Sequence, residues 1–239
     1  MSEWALKRFW KQTTAEEKDG LFAVLLDGRP VKTPAKASLA VPTRALADAI
    51  AAEWDAQEKE VDPNTMPFTR MANSAIDKVS IQHDEVAQML ADYGDSDLLC
   101  YRADRPESLV TRQSAEWDPP LDWAHSEFGV RLQARAGVMH IAQDPAALGV
   151  LADRVHQMDQ FRLAAFHDLV TLSGSLVLGF ASALGWKDAD SIWDISMLDT
   201  LWQEEQWGRD EEAFEAAEIK RAAFKHAKAF FDFSDKAAS

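Results

Sequence analysis

Apolar positions along this chain change their period near residue 43. Before that point they come in short β-favourable runs, and RFWKQ (8–12), LFAVLL (21–26), PVKT (30–33) and SLAV (38–41) are predicted as strands. Asp27-Gly28 follows the second run directly. Both residues tolerate the positive φ of a type I′ turn, which predicts a hairpin into 30–33. Pro30, Pro34 and Pro42 lack the N–H that a central strand donates, so these strands are expected to lie at edges or to end there.

After Thr43, a predicted N-cap, the period becomes helical. Leu46, Ile50 and Trp54 recur every four residues, and Phe68, Ala72, Ala75 and Val79 keep helical spacing in the next segment. A shorter helix over 84–94 is expected to end near Gly94. Residues 97–102 fit a strand or a short connection. Residues 107–127 read as helical at both ends, with Pro119-Pro120 expected to break the helix, and 131–137 fits one more strand. From Pro145 onward only helices are predicted, over 145–157, 160–184, 188–206 and 209–231, before a frayed tail, SDKAAS. The expected class is therefore α+β: a small N-terminal domain of β-hairpins or a meander plus helices (1–105), then an all-α helical bundle domain (106–239). The composition changes somewhere within 105–145.

Composition narrows the function classes. Of 239 residues, 47% are hydrophobic, enough for a packed core rather than a disordered chain. The formal net charge of −15 repels phosphate backbones and anionic lipid, so neither nucleic acid nor a membrane is an expected partner. LVTLSGSLVLGFASAL (169–184) falls short of the ~20 apolar residues of a spanning helix and reads as a buried helix. The single cysteine, Cys100, lies between Leu99 and Tyr101 and reads as a buried small hydrophobe, which fits a reducing compartment. The N-terminus has neither a secretory apolar core nor the Arg-rich, acid-poor character of a presequence. A bacterial cytoplasm is the expected location, or the mitochondrial matrix for a processed eukaryotic chain.

Candidate chemistry is sparse. Helical di-metal sites use Glu-x-x-His, and this chain offers only Asp122/His125 and Asp153/His156, which read as surface helix residues. Zinc-like ligand spacing, a Gly-x-Ser-x-Gly elbow and phosphate-binding glycine loops do not occur in the sequence. Gly174, Ser175 and Gly179 read as small residues that let a helix approach closely. No catalytic residue, metal or cofactor is therefore expected.

One segment stands apart: WQEEQWGRDEEAFE (202–215). Gln203 and Trp207 fall on one helix face, and Glu204 neighbours Trp207. Glu205 points elsewhere on the wheel, near Trp202 and Arg209. Gly208 ends or kinks the helix, and Asp210, Glu211 and Glu212 suit the first turn of the next one. Trp202 and Trp207 read as core anchors, whereas nothing in the core requires Glu205.

Taken together, LDGRPVKTPAKASLAVPT (26–43), AAEWDAQ (51–57), DPNTMPFTRMANSAID (62–77), DLLCYRAD (97–104), WDPPLDWA (117–124), GSLVLGFA (174–181) and WQEEQWGRDEEA (202–213) resemble, in order, the motif series of the ATP12 family. The resemblance implies an assembly chaperone for the catalytic head of the F-type ATP synthase, with an α+β N-terminal and an all-helical C-terminal domain. It implies no enzymatic activity and no cofactor. The implied partner is the unassembled alpha subunit, bound until the beta subunit replaces the chaperone, which is expected to be a monomer when free. The family motif Gln-x-Glu-x-Trp-Gly falls on Gln203, Glu205, Trp207 and Gly208, followed by Asp210. The resemblance thus makes Glu205 the first partner-binding candidate, with Gln203, Trp207 and Asp210 beside it. The chain departs from the family at Thr200, where a second acid usually follows Leu198-Asp199. A helical scaffold for a different client and a carboxylate-based metalloenzyme are the alternative readings.

Overall fold

A computed structural model describes residues 7–235; residues 1–6 and the end of the expected frayed tail, 236–239, lie outside it. The described chain divides into two compact units, one of residues 7–83, 159–165 and 229–235, the other of 84–158 and 166–228. The compositional change at 105–145 falls within the second.

In the first unit, β1 (Thr13–Lys18), β2 (Leu21–Leu26), β3 (Arg29–Pro30) and β4 (Ala40–Val41) form an antiparallel sheet in which β2 pairs with each of the others. The expected hairpin is present: Asp27 and Gly28 have φ of 48° and 77°, and Leu26 faces Arg29. The strand predicted at 8–12 is displaced. Strand β1 begins at Thr13 and turns into β2 through Asp19-Gly20, again with positive φ at both residues. Pro30 lies on the short edge strand β3, where the missing N–H is harmless.

Thr43 caps α1 (Arg44–Asp55) by accepting a hydrogen bond from Leu46 N, and the predicted stripe of Leu46, Ile50 and Trp54 is buried. Helix α2 (Pro67–Ser74) starts on a carboxylate. Glu53 accepts hydrogen bonds from Phe68 N at 2.6 Å, Thr69 N at 2.8 Å and Thr69 Oγ1 at 2.7 Å. These three donors occupy its oxygens, while burial raises its pKa. Gln57 accepts from Asp62 N at 2.8 Å and donates to Thr65 Oγ1 at 3.0 Å. The AAEWDAQ and DPNTMPFTR motifs are thus held together by hydrogen bonds to backbone and hydroxyl groups. The end of the last helix belongs to this unit as well. Phe68 stacks on Phe230 and Phe233 at centroid distances of 6.2 and 5.7 Å, and Thr43 Oγ1 donates to Phe233 O.

The second unit is built on α4 (Glu107–Phe128), α7 (Leu176–Ala183), α8 (Ala189–Ser196) and α9 (Leu198–Trp207). It also holds α3 (His83–Ala91) apart from its first residue, α5 (Pro145–His156), and a two-residue parallel pairing of β5 (Tyr101–Arg102) with β6 (Arg135–Ala136). Helices α6 (Gln160–Ser173) and α10 (Glu211–Phe233) contribute residues to both units.

Three sequence expectations need correction here. Pro119-Pro120 does not break α4, because the buried stripe Gln113, Trp117, Pro120, Leu121 and Ala124 runs straight through it. Burying that stripe offsets the roughly 3 kcal/mol that each of the two helix-interior prolines costs. The helix expected at 160–184 is two, separated by Gly174 with φ of 71° and by Ser175, which caps α7. The helix expected at 188–206 divides at Met197.

Every residue of α7 is buried. Gly179 sits against Val170 and Phe166 of α6 so closely that a Cβ there would lie 2.6 Å from Val170 Cγ2, which supports the close-approach reading of this glycine. Asp97, fully buried, ties the start of α7 to the chain before β5. It accepts from Ser175 Oγ at 2.7 Å, Val177 N at 3.0 Å and Leu99 N at 3.0 Å. Burial nevertheless pushes its pKa up to about 6. Cys100 is buried as expected, and its thiol is pushed up to about 12, first by burial and then by the neighbouring Asp97.

Candidate functional site

Buried residues of α4 hold α9 and α8 by one hydrogen bond each. Gln113 Nε2 donates to Asp199 Oδ1 at 2.7 Å, and Trp117 Nε1 donates to Ile195 O at 2.9 Å. Asp199, the acid that precedes the family departure at Thr200, is thus spoken for by Gln113. Glu205 accepts from Arg112 at 2.7 Å, with the two side chains 54% and 35% exposed. The sequence places Glu205 near Arg209. In the structure Arg209 instead lies 3.8 Å from Glu204 and 3.8 Å over the ring of Phe214.

The largest correction concerns the tryptophans. Trp207 is 75% exposed and Trp202 only partly buried, so neither is a core anchor. Their rings meet edge to face at 6.0 Å. Trp202 therefore steadies one edge of Trp207 while the rest of that indole meets solvent. Gly208 ends α9 with φ of 90° and ψ of 161°, a backbone region essentially restricted to glycine. The chain then turns into α10, whose start is capped by Asp210: Ala213 N donates to Asp210 Oδ1 at 3.1 Å. Asp210 therefore has a structural task, and Glu211 and Glu212 follow it in the first turn, as expected. The middle of α10 is anchored by Asp190, which accepts from Arg221 and Lys225 at 2.7 Å each; these cations hold its carboxyl below the usual range.

Gln203, Glu205 and Trp207 are all exposed on the last turns of α9, with Gln203 and Trp207 on one side and Glu205 turned to Arg112 on the other. On the Arg112 side runs an open groove of about 540 Å³, lined among others by Arg112, Glu116, Asp194, Ile195, Leu198 and Leu201. Apolar floor and charged rim together suit a polypeptide better than a small metabolite. Arg112 and this groove are not found from the sequence. Arg112 lies 93 positions from Glu205, and no local pattern links them.

The remaining candidates are engaged elsewhere. Asp122 accepts from Arg131 at 2.7 Å, and His156 lies 3.4 Å from Gln88. Among the described residues no three His, Cys, Asp or Glu side chains gather as a metal site would require, and no helix is long and apolar enough to cross a membrane.

Comparison with known proteins gives one answer. The family model described as ATP12 chaperone protein matches residues 7–125. Protein atp12, mitochondrial, of Schizosaccharomyces pombe is 26% identical over 223 residues, 88% of this chain and 77% of that protein. Atp12 from Paracoccus denitrificans is 48% identical with a TM-score of 0.95, covering 98% of this chain and 100% of the other; the structure of a point mutant of that protein agrees equally well. The Atu1473 protein of Agrobacterium tumefaciens is 40% identical with a TM-score of 0.90, over 96% of this chain and 86% of the other. The chain belongs to the ATP12 family of ATP synthase assembly chaperones.

Proposed function

We propose that this chain binds the unassembled alpha subunit of the F-type ATP synthase and keeps it from aggregating until the beta subunit takes its place. The binding face is the exposed end of α9 with the groove beside it. Gln203, Glu205 and Trp207 make contact, and Asp210 holds the start of α10 in position. The observation that carries this reading is Trp207, three-quarters exposed in a chain of an assembly-chaperone family, with its ring edge fixed by Trp202. An indole held in place at a surface is a hot-spot side chain waiting for a pocket.

An orphan subunit exposes apolar area meant for its neighbour, and such area drives non-specific association. A partner with a net charge of −15 that covers the area would also keep the complex dispersed. Release requires a face of moderate size, which fits one aromatic anchor rimmed by an exposed ion pair better than a broad apolar interface. Arg112 holds Glu205 in one orientation, so a basic group of the client would meet a carboxylate already positioned.

Size-exclusion chromatography of the purified chain with isolated alpha subunit tests this. Co-elution, lost in Trp207→Ala, is the expected result. Separate elution, with alpha precipitating as fast as it does alone, would overturn it.

A further inference from the structure

Far along the chain from the α9–α10 turn, the loop between β6 and α5 holds three apolar side chains in solvent: Val138 is 90% exposed, Met139 80% and Ile141 51%. A loose loop would fold such residues under. This one is fastened at both ends and in the middle. Gly137 N donates to Arg102 O at 2.9 Å. Asp95 takes Gln143 N on one oxygen at 2.7 Å and the His140 ring on the other at 3.2 Å. The other ring nitrogen of His140 lies 3.1 Å from Tyr101 Oη. Gln143, itself buried, grips the backbone of Gln133 twice, at 2.7 and 3.0 Å. His140, itself half exposed, is tied down by Asp95 and Tyr101, and the apolar residues on both sides of it stand in solvent. An exposed apolar cluster of this kind is costly in water unless something covers it.

We propose that the loop is a second contact, separate from the Trp207 face, that docks on an apolar patch of the client subunit; the inference rests on the client reading given above. Charge and area select this occupant. Two copies of a chain with net charge −15 repel one another, and the same charge opposes an anionic bilayer. Three side chains also fall well short of the ~800 Å² per partner that stable association needs, so the loop adds to a larger interface rather than forming one alone. Met139, flexible and polarizable, adapts to an irregular patch. The fastening by Asp95 and Gln143 means that little loop entropy is lost on docking.

The test uses the full chain with a photo-crosslinking residue at position 139, incubated with isolated alpha subunit, together with a Val138→Asp, Met139→Asp double variant. The expected result is a cross-link to alpha. The double variant should show at least tenfold weaker capture with an unchanged melting temperature, whereas Met139→Leu should bind as the parent does. A cross-link to a second copy of this chain, flotation with anionic vesicles, or parental capture by the double variant would each overturn the inference. If the parent captures alpha but the loop substitutions change nothing, only the loop inference falls. If the parent captures no alpha at all, the client reading falls with it.

Discussion

Replacing Gly179 by alanine sets two effects of known sign against each other. Removing a glycine from a helix interior stabilises by about 0.5–1 kcal/mol. The added methyl, however, would lie 2.6 Å from Val170 Cγ2 and 3.4 and 3.5 Å from two atoms of the Phe166 ring. Carbon atoms prefer separations of about 3.5–4.0 Å, so the overlap with Val170 approaches an ångström. Val170 and Phe166 are both completely buried, and neither has open space to move into. Overpacking of this kind costs about 1–3 kcal/mol. The net expectation is a loss of about 1–2 kcal/mol, which for a chain of this length lowers the melting temperature by roughly 2–8 °C. Urea and thermal unfolding followed by tryptophan fluorescence would measure it. Val170→Ala removes the clashing atom, so the double variant should be more stable than the sum of the single losses predicts, with a coupling of about 0.5–3 kcal/mol. A Gly179→Ala protein as stable as the parent, or strict additivity with Val170→Ala, would refute the close-packing account of α6 and α7.

Three further outcomes follow from the same geometry. Asp97 has its pKa raised from 3.8 to about 6, so the folded state holds this proton more tightly than the unfolded chain does. Its contribution is fully present below about pH 4 and is lost as pH rises through 6, a change of about 3 kcal/mol. Asp97→Asn should flatten the pH dependence of urea midpoints across that window, and an identical slope in parent and variant would contradict the assignment. Trp207→Ala should change stability by less than ~0.5 kcal/mol, since the ring is exposed, while weakening client capture by about 2 kcal/mol in a titration; a large drop in melting temperature would mean that the ring is structural after all. Arg112→Ala should cost no more than about 1 kcal/mol in thermal melts, as for other exposed ion pairs, and a several-fold larger loss would show that the pair supports the fold rather than the face.

The parts of this fold that can be read from the chain are those whose signals are local. Asp27-Gly28, the Thr43 cap and the stripe of Leu46, Ile50 and Trp54 each fix their geometry within a few residues, and each is found as expected. Strand β1 escapes the pattern because TTAEEK is polar and half exposed, and its best cue is its turn, the same Asp-Gly pair at 19–20. The break at Gly174-Ser175 is hidden because the chain is apolar on both sides of it, so periodicity carries no boundary. The candidate site is suggested by resemblance and not by physics. Trp207 has the same spacing as a core residue, and its exposure depends on what the rest of α9 packs against. Arg112, which orients Glu205, is brought in by tertiary structure alone.

The most direct measurement is the association of the purified chain with isolated alpha subunit, followed by light scattering on a sizing column with and without beta subunit. The account predicts a discrete chain–alpha complex that dissolves when beta is added, with alpha passing to beta. Alpha that aggregates equally in the presence and absence of the chain, or a complex that beta leaves untouched, would contradict it.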